Sequence, residues 1–482
     1  MTNEKKSVKS NIIFNGLKTL AGILFPFISF PYAARVLGAT NLGKVQYCAS
    51  IITYFALFAE LGIEVYATRE GVKYRDNKSE LTKFVKEVLT LNIITTLISY
   101  VALLALIFIF GLEKYRVLLF VCGLSIFFKT FQIDWLYQIV EDFKYISIRI
   151  IALQFISLAL LFLLVRQETD YVNYAFVTVF SSGGSFALNF INSKRYVNWR
   201  GQQGKLNIRR HLKPVLIIFG ITASAQIYLN LDVIMIGALR GETDVGYYSA
   251  SVKLINAIKV MLASVSTALL ARLSSFIVKG EKTNFDDLIS KSMNLILMLV
   301  IPCCYGLIVL RRETLLLLYG SEYIVANISL ALLSVNMIFS VIDGVLYQQV
   351  TLPLHLEGKA CRATIIGAVI NLISNYFFIN QFGYNGAAFT TLLSELVVFG
   401  FLLYGVKEYV DIHQLFGETY QYVLCGAVMF LILFIIHRAI GVHIWNIIIF
   451  ITLGIVIYFV LLNKINNPYT VGFLKGIRSK LS

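Results

Sequence analysis

Runs of roughly 20 predominantly apolar residues follow one another along the whole chain, separated by short polar or charged breaks. At about 1.5 Å per residue a helix of that length crosses the ~30 Å hydrocarbon layer of a bilayer, so each run predicts a membrane-spanning helix. Fourteen are readable, at roughly 11–32, 44–67, 87–110, 117–139, 146–165, 171–192, 214–239, 246–271, 292–310, 325–350, 362–380, 384–406, 420–437 and 443–463. The pattern predicts an all-α integral membrane protein.

The polar residues inside these runs carry the functional signal. A lysine at the centre of a spanning helix costs roughly 2.5 to 3.5 kcal/mol on insertion scales, and a helix bundle folds without one. Four nevertheless lie at depth: Lys18, Lys129, Lys253 and Lys259. In span eight, Lys253, Asn256 and Lys259 follow one another at i, i+3 and i+6, so they share one side of the helix. With that span entering from outside, Lys253 lies about 10 Å and Lys259 about 20 Å from its outer end. Span one repeats the stripe with Asn11, Asn15 and Lys18. Such ammonium groups require a ligand or a counter-ion.

Acids that can serve as counter-ions, or carry a coupling proton or cation, are Glu60 and Glu64 on span two, Asp134 on span four, Asp232 on span seven, Asp343 on span ten and Glu395 on span twelve. The bland alternatives are that the lysines pair with these acids or snorkel to an interface. For Glu60 and Glu64 the expected partners are Arg69 or water. Amide and hydroxyl stripes run along span seven (Thr222, Gln226, Asn230), span ten (Asn336, Ser340) and span eleven (Asn371, Asn375). They suit sugar hydroxyls lining a hydrated chamber, or ordinary interhelical hydrogen bonds, each worth about 0.6 kcal/mol. Pro26 and Pro31 remove intrahelical bonds from the outer half of span one and mark it as a hinge.

Composition supports the membrane reading: 58% of residues are hydrophobic and 14% charged, with a mean hydropathy of +0.75. The formal charge of +15 does not imply nucleic acid. When loops are assigned alternately to two sides, 29 of the 42 Lys and Arg fall on the side of the N-terminus and 9 on the other. That bias places both termini in the cytoplasm. The basic N-terminus precedes a retained first span, with no cleavage site behind it. Six cysteines scattered through apolar runs lack ligand spacing and read as buried free thiols.

The chain also repeats itself. GATNLG (residues 38–43) and GETDVG (241–246), loops after the first and seventh spans, both fit G-x-T-x-x-G. Arg69 and Arg272 keep the same spacing, Leu136-Tyr137-Gln138 recurs as Leu346-Tyr347-Gln348, and Ala175-Phe176 with Thr178 recurs as Ala388-Phe389 with Thr391. Six spans separate equivalent positions, so the repeats enter the membrane in the same direction. The expected organisation is a lobe over 1–192, a cytoplasmic connector over 193–213, a second lobe over 214–410, and two extra helices with a basic tail over 411–482. The connector reads as a solvated basic linker. Parallel repeats place substrate at their interface near the midplane.

LGIEVYATREGVKYRDNK (61–78), DWLYQIVEDFKYISIRI (134–150), YLNLDVIMIG (228–237) and GETDVGYYSASVKL (241–254) resemble the signature stretches of the Wzx-type polysaccharide flippases. These belong to the multidrug/oligosaccharidyl-lipid/polysaccharide exporter superfamily. The resemblance covers spans one to twelve. It implies two six-helix lobes around a V-shaped cavity in a bacterial cytoplasmic membrane. The implied activity moves undecaprenyl-diphosphate-linked oligosaccharides between leaflets, for O-antigen or capsule, by alternating access. Related lipid II flippases line the cavity with basic residues, which carries over to Lys18 and Lys253. Lysine presents a point charge where those proteins favour the arginine fork, and span two has no basic residue in its core. Lys253 and Lys259, with Lys18 and Lys129, would then meet the diphosphate, and Asn15, Asn256, Gln226 and Asn230 the glycan.

Membrane lipids, a polymerase and other polysaccharide assembly proteins are the implied partners, with no resident cofactor, metal or nucleic acid. A cation-coupled multidrug antiporter of the same superfamily is the nearest alternative. Its cavity would be richer in acids and aromatics than the mid-span lysines suggest. A membrane glycosyltransferase would need a long external loop with catalytic acids, and the longest here, about 311–324, holds few. No P-loop is present, which argues against direct ATP hydrolysis.

Overall fold

The structure is a computed structural model that describes residues 8–109, 111–201, 205–440 and 446–471. Within the helices the side chains of 8–15, 17–20, 23, 221, 222, 224, 225, 227–229, 264–268, 271 and 440 are not described. Every regular element among the described residues is helical. Eleven helical stretches there are long and apolar enough to cross a membrane. The seventh and eighth apolar runs fall on two further long helices, α9 and α10 below.

By packing, the chain forms two compact units, up to Gly246 and from Tyr247 onward. The first contains α1 (Val8–Glu60), α2 (Ile63–Gly71), α3 (Lys78–Ile109), α4 (Arg116–Gln132), α5 (Asp134–Ile139), α6 (Phe143–Leu164), α7 (Tyr171–Gly183), α8 (Phe186–Ser193), α9 (Arg209–Leu239) and the first turn of α10 (Glu242–Val278). The second contains the rest of α10, then α11 (Lys282–Val309), α12 (Arg311–Tyr319), α13 (Asn327–Val345), α14 (Glu357–Phe382), α15 (Tyr384–Val406), α16 (Ile412–Phe416), α17 (Thr419–Ile440) and α18 (Ile447–Lys464).

Helix α6 shows how the spans are built. Its buried positions, Ile146, Arg149, Leu153, Ser157 and Leu161, recur every three or four residues, while Ile148, Phe155, Ile156, Phe162 and Leu163 are exposed. A surface helix of a soluble protein hides its apolar face, whereas here the apolar face is outermost and the polar groups are enclosed. In α1 the chain departs from helical geometry at Gly38 (φ 71°), and Pro26 and Pro31 lie inside helical runs.

The two G-x-T-x-x-G stretches were expected as outer loops. Both are largely helical and pack against each other. Thr40 Oγ1 and Thr243 Oγ1 are 2.8 Å apart. A Cβ on Gly43 would lie 1.8 Å from the Glu242 carbonyl oxygen, and one on Gly246 would lie 2.1 Å from that of Ala39. The repeated glycines are thus explained by a close backbone approach that no larger residue permits.

The described Lys and Arg side chains of the connector are exposed to solvent, and its backbone is tied to α3. Lys86 Nζ donates to the Gly201 carbonyl (2.8 Å), Lys78 Nζ to that of Arg195 (3.1 Å), and the Asn198 amide to Thr82 Oγ1 (3.1 Å). Helix α9 follows it and packs against α1 and α2, within the first unit.

Candidate functional site

The polar residues of spans two and four converge at two breaks in the first unit. Helix α1 gives way to α2 across Leu61 (φ 46°) and Gly62 (φ 73°), and α4 gives way to α5 at Ile133 (φ 43°). A left-handed β-branched residue is strained, and such strain persists only where the surroundings enforce it. The breaks bring α2 against α5 and surround a hollow of about 190 Å³. Glu60, Glu64, Lys129 and Asp134 face it, joined by Asn92 and Gln132.

Glu60 pairs with Lys129, Oε2 to Nζ 3.6 Å, and Glu64 Oε1 accepts from Gln138 Nε2 at 3.1 Å. Glu60 thus has Lys129 as its ion-pair partner, where Arg69 or water was expected, while Glu64 is open to water as expected. Helix α4 runs alongside α1, which sets Lys129 beside Glu60. Asp134 is held by Arg149 (2.9 Å), Gln132 Nε2 (2.8 Å) and Asn189 Nδ2 (2.8 Å). Asn189 Oδ1 in turn accepts from Arg149. Arg149, one of the 29 basic residues counted on the side of the N-terminus, is buried. Its signal was visible as an arginine three residues inside an apolar run.

In the second unit, Lys253 and Asn256 lie on the exposed side of α10 and Lys259 is half-buried. Lys253 has no ion pair or hydrogen bond among the described residues. The carboxyl groups of Glu395 on α15 and Asp343 on α13 are the electrostatic neighbours of Lys259. Both oxygens of Asp343 are buried and have no hydrogen-bond partner among the described residues. Just beyond Asp343 the helix widens into a π-helical turn, Leu346–Thr351.

The amide stripes are internal ties. Asn375 Nδ2 donates to Asn371 Oδ1 (2.9 Å), Thr390 Oγ1 donates to Asn375 Oδ1, and Asn336 Nδ2 donates to the Thr391 carbonyl (3.2 Å). On α9, Asn230 Nδ2 donates back to the carbonyl (3.1 Å) and Oε1 (3.2 Å) of Gln226, and Asp232 is buried. Asn15 and Lys18 lie outside the described side chains. All six cysteines are free; Cys303 is exposed and Cys361 half-buried, so only four of the six fit the buried-thiol expectation.

A family of proteins described as polysaccharide biosynthesis proteins matches residues 8–277, more than half of the chain. The chain belongs to this family.

Among its relatives, this polysaccharide biosynthesis protein is 24% identical to the "Putative O-antigen transporter" of Escherichia coli (strain K12), over 85% of this chain and 99% of that one. It is also 24% identical to the capsular polysaccharide biosynthesis protein CapF of Staphylococcus aureus, over 80% of this chain and 96% of CapF. Its fold is that of the lipid II flippase MurJ, solved in an inward closed conformation, with a TM-score of 0.75, 16% identity, and coverage of 93% of this chain and 98% of MurJ.

A second polar cluster in this family member escaped the sequence pattern. Glu87 on α3 is fully buried and accepts from the Asn207 amide (2.8 Å), Arg210 Nε (3.0 Å) and Nη2 (2.6 Å), and His211 Nε2 (2.9 Å). With that proton on Nε2, His211 Nδ1 accepts from the Tyr66 hydroxyl at 2.7 Å. Glu87 thereby fastens the start of α9 to α2 and α3.

Proposed function

We propose that this polysaccharide biosynthesis protein is a flippase that carries a lipid-linked oligosaccharide across the cytoplasmic membrane during assembly of a surface polymer, without chemical turnover of its own. The observation that carries the reading is Lys253: a charge within a spanning helix, exposed and without an acid beside it among the described residues. An undecaprenyl-diphosphate headgroup brings the complementary charge, and attraction between them is stronger in a low-dielectric groove than in water. Lys259 extends the same face of α10 inward. The names of the E. coli and S. aureus relatives and of MurJ support the same class of cargo.

Transport proceeds by alternating access, with both termini in the cytoplasm, as the charge bias supports. Asp343, with the Glu395 carboxyl group as a neighbouring charge, serves as the coupling site: the Asp343 carboxyl, buried and without a donor among the described residues, is stabilised by taking up a proton or cation. A polymerase acting on the exported glycan is the natural partner.

The test is a liposome assay with a defined undecaprenyl-diphosphate glycan confined to one leaflet. The Lys253→Ala/Lys259→Ala variant should translocate at least tenfold more slowly than the unmodified protein at equal incorporation. Equal rates would remove the electrostatic role from α10.

A further inference from the structure

The hollow between the breaks at Leu61-Gly62 and Ile133 has a composition unlike that of a diphosphate site. Three carboxylates, Glu60, Glu64 and Asp134, face it against one ammonium, Lys129. Even with Arg149 behind Asp134, the described groups leave a formal excess of one negative charge. Asn92 adds an independent sign. It is 5% exposed, it lines the hollow, and its Oδ1 has no hydrogen-bond partner among the described residues. A buried carbonyl oxygen without a donor is costly; this one is closed off at the wall of the hollow, and a group that meets it as the side chain turns must bring an N–H or O–H. A phosphate at neutral pH brings mainly acceptors and more negative charge, so it does neither.

The space fits a ring-sized polar group. About 190 Å³ corresponds to roughly six waters at about 30 Å³ each. A second hollow of about 220 Å³ adjoins it, sharing Lys129 and Ser182 and offering the hydroxyls of Thr53, Ser125 and Thr178. Lys129 stands between them, its Nζ 3.6 Å from Glu60 Oε2, free to donate to either side.

We propose that these hollows are successive sugar subsites, and that the one holding Glu60, Asn92 and Asp134 selects a ring rich in hydroxyl or amine donors and rejects an acidic one. This rests on the flippase reading and deepens it. The lipid diphosphate is bound away from this cluster, and the glycan is read by acceptors in the first unit. Carboxylates and amides suit this task because one planar group can accept from two adjacent hydroxyls. Strain at Ile133 has the same explanation, since only a broken helix turns Gln132 and Asp134 toward a common centre.

The test uses the full chain in nanodiscs and four probes: undecaprenyl diphosphate, and three undecaprenyl-diphosphate disaccharides that differ only in the distal ring, a neutral hexose, a hexosamine with a free amine, or a hexuronic acid. Equilibrium binding should favour the hexose and hexosamine over the hexuronate by at least tenfold. Glu60→Gln removes one acceptor charge and should shrink that ratio to threefold or less. Asn92→Asp adds one at nearly constant shape and should widen it by a further tenfold. The two variants move the ratio in opposite directions, so loss of folding in one leaves the other decisive. Hexuronate binding as tight as hexose binding, or a ratio that neither variant moves, overturns the subsite while leaving the flippase reading standing. If no disaccharide binds more tightly than bare undecaprenyl diphosphate, the oligosaccharide reading falls, and the subsite with it.

Discussion

Replacing Glu87 tests whether the segment before α9 is anchored. The fully buried carboxylate accepts four hydrogen bonds, from Asn207, His211 and twice from Arg210. In Glu87→Leu the Arg210 side chain, 40% exposed, can turn to water, so its share is that of a screened pair, about 0.5 kcal/mol. The His211 ring is 2% exposed and cannot do so. The stranded imidazole N–H and the Asn207 amide each cost about 1 to 3 kcal/mol. A total near 3 kcal/mol raises the opening equilibrium of the 194–210 segment roughly a hundredfold, at about 1.4 kcal/mol per tenfold. Trypsin reads this directly, because Lys194, Arg195, Arg200, Lys205, Arg209 and Arg210 all lie there, and cleavage follows the open population when reclosing is fast. In nanodiscs the leucine variant should be cut about a hundred times faster at these sites. Glu87→Gln keeps an acceptor of the same shape and should fall between. A leucine variant cut within twofold of the native rate would refute the anchor.

Arg149→Ala removes the ion-pair partner of Asp134, whose side chain is 19% exposed and keeps its Gln132 and Asn189 donors, so the loss is that of a charge-assisted bond, about 1.5–3 kcal/mol; the detergent-solubilised variant should lose thermal stability while Arg166→Ala, at an exposed position, does not. Gly246→Ala forces a Cβ to 2.1 Å from the Ala39 carbonyl oxygen; overpacking of this kind costs about 1–3 kcal/mol, so the melting temperature should fall, and an unchanged one would show that the backbones separate freely. Asp343→Asn keeps shape but removes an ionisable group whose oxygens lack partners; thermal stability should hold or rise, while acceleration of liposome transport by an imposed pH gradient disappears.

Much of this architecture was legible because membrane burial writes long, one-dimensional signals. Apolar runs marked the spans, and internal repeats marked equivalent places. The repeat at Leu136 and Leu346 survives where the backbone is irregular: Leu136 lies in the short α5 after the Ile133 break, and Leu346 opens the π-helical turn. Both side chains are fully buried. Long runs also conceal what matters locally. The break at Ile133 has no proline or glycine to announce it, and Glu87 and Arg149 look like loop charges because they fall near the ends of apolar runs. Only packing shows that each is enclosed.

These hidden residues share a physical logic. A spanning helix satisfies its own backbone, so polar side chains are free to act only where they are enclosed by protein or face a cavity. Glu87, and the α14 amides with the Thr390 hydroxyl of α15, are engaged and hold helices together. Lys253, Asn92 Oδ1 and the Asp343 carboxylate are not so engaged among the described residues. They differ in kind: an ammonium in search of an anion, a carbonyl in search of a donor, a carboxyl in search of a proton or cation. A lipid diphosphate, a sugar hydroxyl and a coupling ion answer them one for one. One simple ligand would leave at least one of the three unanswered, so the assignment stands or falls on finding separate effects when each residue is changed alone.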